Sequence, residues 1–111
     1  MTETASIARL RFPDTATVRQ AEDVQKTLAL AIARHAGVVV DCSGLKEADL
    51  SAVQLLLAAH RSAAAQGKRF ALAAPASDAL LGVLVRAGIL DPDAPAGSPD
   101  ADFWLKGAHQ P

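Results

Sequence analysis

The run Val38-Val39-Val40-Asp41-Cys42 constrains the fold of this chain more than any other segment. Three consecutive β-branched residues disfavour a helix and read as a strand covered on both faces. Such strands occupy the middle of parallel or mixed sheets flanked by helices. The flanks agree. Upstream, Arg19 to Ala36 carries Val24, Leu28, Ala31, Ile32 and His35 at helical spacing, and Gly37 follows where a C′ glycine belongs. Downstream, Asp49 to about Gln66 places Leu50, Val53, Leu56, Leu57 and His60 on one stripe. Leu55, Ala58 and Ala59 widen that stripe, and Gly67 ends it. Asp49 and Ser51 are both suitable helix-capping types.

The remaining segments continue the alternation. Ser6 to Phe12 reads as a strand, with Arg9 and Arg11 between apolar residues, and Pro13-Asp14 breaks it. Thr15 to Val18 is a short edge strand or the approach to a helix. Ser43-Gly44 is a turn, and Leu45 to Ala48 a connecting loop. Arg69 to Ala73 is a strand. Ser77 caps a helix bearing Leu80, Leu81, Leu84 and Val85, which ends at Gly88. Residues 91–102 form a Pro/Asp/Ala-rich loop. Phe103-Trp104-Leu105 is a last apolar patch, a short strand or a latch over the core, and the latch is the preferred reading. Residues 107–111 are a frayed tail. Strands alternating with helices predict a layered α/β architecture with right-handed crossovers. A length of 111 residues suits one domain over 1–111, with its core in about 5–106.

Composition removes several functions. Eleven Lys+Arg against twelve Asp+Glu, scattered along the chain, form no basic face for nucleic acid. Cys42 is the only cysteine, so no internal disulfide forms, and its apolar strand marks it as a small buried hydrophobe. Met1 to Ala5 lacks the pattern of a signal peptide, and no apolar run approaches a membrane span, so no membrane insertion and a cytoplasmic location are expected. His35, His60 and His109 lack metal spacing, so no metal is expected. Phosphate loops and nucleophile elbows are absent from the sequence, so no cofactor and no catalytic residue is assigned and no enzyme is expected. Asp41 and Asp49 bracket one loop. Each is expected to tie loop backbone rather than to act as half of an acid–base pair.

The residues after the central strand carry a family resemblance. Val38 to Leu45, Ala48-Asp49-Leu50-Ser51-Ala52-Val53-Gln54-Leu55-Leu56-Leu57, Gly67-Lys68-Arg69-Phe70-Ala71-Leu72 and Leu84 to Leu90 together resemble a STAS domain, the fold of bacterial anti-sigma factor antagonists. The likeness spans roughly residues 5–106. It implies a single STAS-type α/β domain: a mixed sheet of roughly four to five strands, with helices mainly on one face. It also implies a non-enzymatic protein–protein module of bacterial signalling, docking on a histidine-kinase-type ATPase, an anti-sigma factor or a chemotaxis protein. The variant Asp49-Leu50-Ser51-x-x-Gln54-Leu55-Leu56, with Phe103-Trp104, is similar to STAS proteins associated with chemotaxis and two-component systems. A second similar group is the STAS subunit of ABC-type lipid transporters, which also docks on an ATPase.

In the family, the hydroxyl directly after the motif Asp accepts phosphate and switches binding. Here that position is Leu50, and Ala52 replaces the family glycine. Ser51 is the one possible phospho-acceptor, and capping the helix is its expected role. The expected partner surface comprises Asp49, Leu50, Ser51, Ala52, Val53 and Gln54, with Leu45 and Lys46 from the loop. An exposed edge strand around Ile7 to Phe12 and the apolar Phe103-Trp104 patch each leave room for a weak homodimer.

Overall fold

The computed structural model of the chain describes residues 6–98 and 100–107. The expectations for Met1 to Ala5, His109 and the end of the tail concern residues outside that set. In chain order the elements are β1 (Ile7–Arg11), β2 (Thr15–Ala16), α1 (Ala21–Arg34), β3 (Gly37–Asp41), β4 (Glu47–Ala48), α2 (Leu50–Ala65), β5 (Arg69–Leu72), α3 (Asp78–Arg86) and α4 (Ala101–Leu105). Single 3-10 turns occur at Val18–Gln20 and Pro95–Gly97.

The architecture is α/β, as the alternation predicts. β1, β3 and β5 form one parallel sheet in that order, while β2 and β4 pair as a separate parallel ribbon. Every pairing among the described residues is parallel, where the resemblance implied a mixed sheet. The reason is in the connections. Each strand of the main sheet is joined to the next by a connection that contains a helix, the crossover that parallel pairing requires. Because strand order follows chain order, right-handed crossovers put α1 and α2 on the same face.

That face holds the core. Register aligns Ala8, Val38 and Phe70 in one row and Leu10, Val40 and Leu72 in the next. Below them lie Leu28, Ala31 and Ile32 of α1, Ala52, Val53, Leu56, Ala59 and Ala63 of α2, and Leu80, Val83 and Leu84 of α3. The alanines of α2 let it sit close to the sheet. The opposite face of β1 shows Ile7, Arg9 and Arg11 to solvent.

Gly37 corrects one expectation. It opens β3 instead of closing α1, which ends at Arg34 with His35 already extended. Its lack of a side chain serves packing, since a Cβ there would lie 2.9 Å from Ile7 Cδ1 and 3.3 Å from Arg69 Cβ. The end of α1 is closed from elsewhere. Lys68 Nζ donates to the Ile32 and Ala33 carbonyls at 2.6 and 3.2 Å, a cation on the negative end of the helix. Gly67 and Gly88 do stand after α2 and α3 with φ of 71° and 75°, the left-handed conformation glycine adopts freely. Ser77 occupies the cap position of α3, but its buried hydroxyl finds no partner.

Phe103 and Trp104 form a helix, not a strand, and both are buried. Phe103 stacks on His60 at a centroid distance of 4.3 Å and meets Trp104 edge-on at 4.7 Å. The Trp104 carbonyl accepts from the Ala76 N–H at 2.8 Å, tying α4 to the segment before α3. The patch is thus the latch over the core that the sequence suggested.

Candidate functional site

The chain leaves β3 through a turn fixed by Asp41, whose Oδ1 accepts from the Ser43 N–H at 2.9 Å. Hydrogen bonds from Ser43, side chain first and backbone second, hold the Asp41 carboxyl below its ordinary value, and the charges of Arg11 and Arg9 act the same way. Cys42 is buried, and desolvation, with the Asp41 charge adding, pushes its thiol up to about 12. The thiol is therefore inert, as its strand position suggested. Gly44 lies under the Arg11 side chain: a Cβ there would fall 2.5 Å from the guanidinium, which would have to move aside.

The loop then clips onto the segment after β1. The Lys46 and Glu47 N–H groups donate to the Asp14 carbonyl at 2.8 and 3.1 Å, and the Asp49 N–H to the Ala16 carbonyl at 3.4 Å. The Asp49 carboxylate completes the junction. Oδ1 accepts from the Ser51 N–H at 2.8 Å, capping α2, and Oδ2 accepts from the Val18 N–H at 3.1 Å. One side chain thereby satisfies a free helix donor and pins the neighbouring 3-10 turn. Thr17 and Gln20 lock that turn with a capping box.

Two apolar side chains flank the capped carboxylate. Leu50 is 44% exposed and Val18 68% exposed, although both belong to segments whose backbone is held. Lys46 and Gln54 are exposed beside them, and Ser51 is half-buried. The expected surface needs correction at three places. Leu45, Ala52 and Val53 are core residues, buried to 5% exposure or less, because the turn after β3 and the inner stripe of α2 face the sheet. They support the surface from beneath. A second correction concerns the cap: Asp49 fills it, so Ser51 makes no capping bond through its hydroxyl. Sequence reasoning missed Val18. Its only signal was a β-branched residue in a polar stretch, which reads equally as the end of a strand.

Asp41 and Asp49 each bind backbone, as expected, and neither faces the other in a hydrogen bond. His60 lies three turns along α2 from Asp49, roughly 16 Å at the helical rise. His35 instead meets the Ser6 hydroxyl through Nδ1 at 3.1 Å. Among the described residues, no three His, Cys, Asp or Glu side chains gather as metal ligands, and no helix is long and apolar enough to cross a membrane.

A parallel sheet layered on one side by helices, with an apolar helix start left exposed at a hydrogen-bonded loop junction, describes a small α/β domain. The chain belongs to the STAS domain family: the family model described as Mlab, STAS domain matches residues 4–91. STAS domains typically interact with other proteins. No curated protein and no solved structure matches the chain.

Proposed function

We propose that the protein is a non-enzymatic, anti-sigma-factor-antagonist-like module of the bacterial cytoplasm. It docks on a histidine-kinase-type ATPase or chemotaxis component through Leu50 and Val18, with Lys46 and Gln54 at the rim. The observation that carries this reading is Leu50, exposed at the helix start where the resemblance places a phosphorylatable hydroxyl. An exposed leucine beside a capped carboxylate adds apolar contact area without needing activation.

A switch at Ser51 is disfavoured by the same geometry. Its N–H is already occupied by Asp49, and a phosphate dianion there would sit against that carboxylate. Constitutive docking also suits the STAS subunit of an ABC-type lipid transporter, in which the partner is again an ATPase.

Co-purification of the full chain with purified ATPases of both kinds tests the proposal, and the one retained names the pathway. Leu50→Asp should release it. Intact mass after incubation with ATP and a bound kinase should show no added phosphate, whereas a phosphate that disappears in Ser51→Ala would restore the switch.

A further inference from the structure

The outer edge of β1 presents a second set of interaction groups that the docking surface above does not use. The Phe12 N–H donates to the Asp41 carbonyl at 2.8 Å, and the Ser6 carbonyl accepts from the Ala36 N–H at 2.9 Å. In a parallel strand the N–H and C=O of one residue point the same way, so the even-numbered residues of β1 bond to β3. The N–H and C=O groups of Ile7, Arg9 and Arg11 therefore point outward. Among the described residues no strand pairs with them.

Beside this edge lies a groove of about 220 Å³ between β1 and α1, with Leu10, Phe12, Val24 and Leu28 among its lining residues. An unpaired edge next to an apolar groove offers what an added strand needs. Main-chain bonds supply affinity, and alternate side chains supply selectivity.

We propose that the β1 edge accepts an extended segment of a protein partner as an added strand, and that this segment alternates apolar with acidic residues. The alternation follows from the two faces. Side chains of the incoming strand on the helix side fall over the groove. Those on the other side fall beside Arg9 and Arg11, whose two charges outnumber that of Asp41 on the same face, so acidic groups pair there and basic ones repel. The same arginines argue against a second copy of this chain. Antiparallel pairing over the full strand would set Arg9 opposite Arg9, and sliding by one pleat toward the C-terminal ends sets Arg9 opposite Arg11.

The test uses the full chain and two synthetic peptides, acetyl-Glu-Val-Glu-Leu-Glu-Val-Glu-amide and its counterpart with lysine at every glutamate. Amide exchange of the free protein should be at least tenfold faster at Ile7, Arg9 and Arg11 than at Ala8 and Leu10. The acidic peptide should protect those three amides and shift the Leu10, Val24 and Leu28 methyl resonances, binding at least tenfold more tightly than the lysine peptide. The Arg9→Glu/Arg11→Glu variant, at exposed positions, should invert that preference while keeping its circular dichroism. Several results would overturn the proposal: edge amides already protected in dilute free protein, protection that grows with protein concentration alone, equal affinity for both peptides, or no shift at millimolar peptide.

Discussion

The two ends of α2 treat apolar surface in opposite ways. At its far end, His60 is covered by Phe103, and Phe103 by Trp104, so the largest side chains of the chain are folded inward. At its start, Leu50 stays in solvent although the residues on either side of it, Asp49 and Ser51, are hydrogen-bonded to each other. The difference lies in what the chain supplies to cover each end. The far end has α4, which returns after a loop and lies beyond the residues matched by the family. The start has the loop before it, whose leucine, Leu45, is turned into the core, and the turn at Val18, whose side chain is itself exposed. One end closes the fold, and the other keeps an exposed leucine, the position proposed above for docking.

Replacing the latch should give the largest effect on stability. Trp104→Ala removes a fully buried indole and should cost about 3–5 kcal/mol, read as a fall of more than about 10 °C in Tm. A loss below about 1 kcal/mol would mean that α4 is peripheral and the contrast false. At the other end, Asp49→Ala frees the Ser51 and Val18 N–H groups and should cost about 1–2 kcal/mol in chemical denaturation, while Asp49→Asn, which keeps an acceptor, should lose less. Leu50→Asp should leave stability within about 0.5 kcal/mol, since the side chain is exposed. A larger loss would show that Leu50 belongs to the core.

The smallest effect concerns Asp41. Its folded carboxyl titrates below the ordinary value of 3.8, so it contributes stability above that pH and loses it as pH falls through the lower folded value. Denaturation midpoints measured from pH 5 downward should therefore fall less steeply in Asp41→Asn than in the parent.

Much of this was legible in the sequence. The valine run, the stripe of α2 and the glycines after α2 and α3 each carry a strong local signal, and each landed within a residue or two of its expected place. What escaped is settled by tertiary contacts. The β2–β4 ribbon has two residues per strand, too few for any periodicity to show. Gly37 reads as a helix stop unless Ile7 and Arg69 are known to press against it. Asp49 and Ser51 are equal as caps until the Val18 N–H is found beside one of them. Leu45, Ala52 and Val53 fall inside a recognisable motif, but a motif does not say which side chains face inward. The helical stripe put Val53 with the core, and the motif alone placed it on the partner surface.

The affinity of the ATPase recovered by co-purification, measured by calorimetric titration against the parent chain, Leu50→Asp and Val85→Asp, tests the docking surface most directly. Val85 is an exposed apolar residue on α3 at 39% exposure, so it controls for loss of any surface hydrophobe. Leu50→Asp should raise Kd at least tenfold, about 1.4 kcal/mol, and Val85→Asp should leave it unchanged. Equal affinity for the parent and Leu50→Asp, or equal weakening in both variants, would contradict docking at the start of α2.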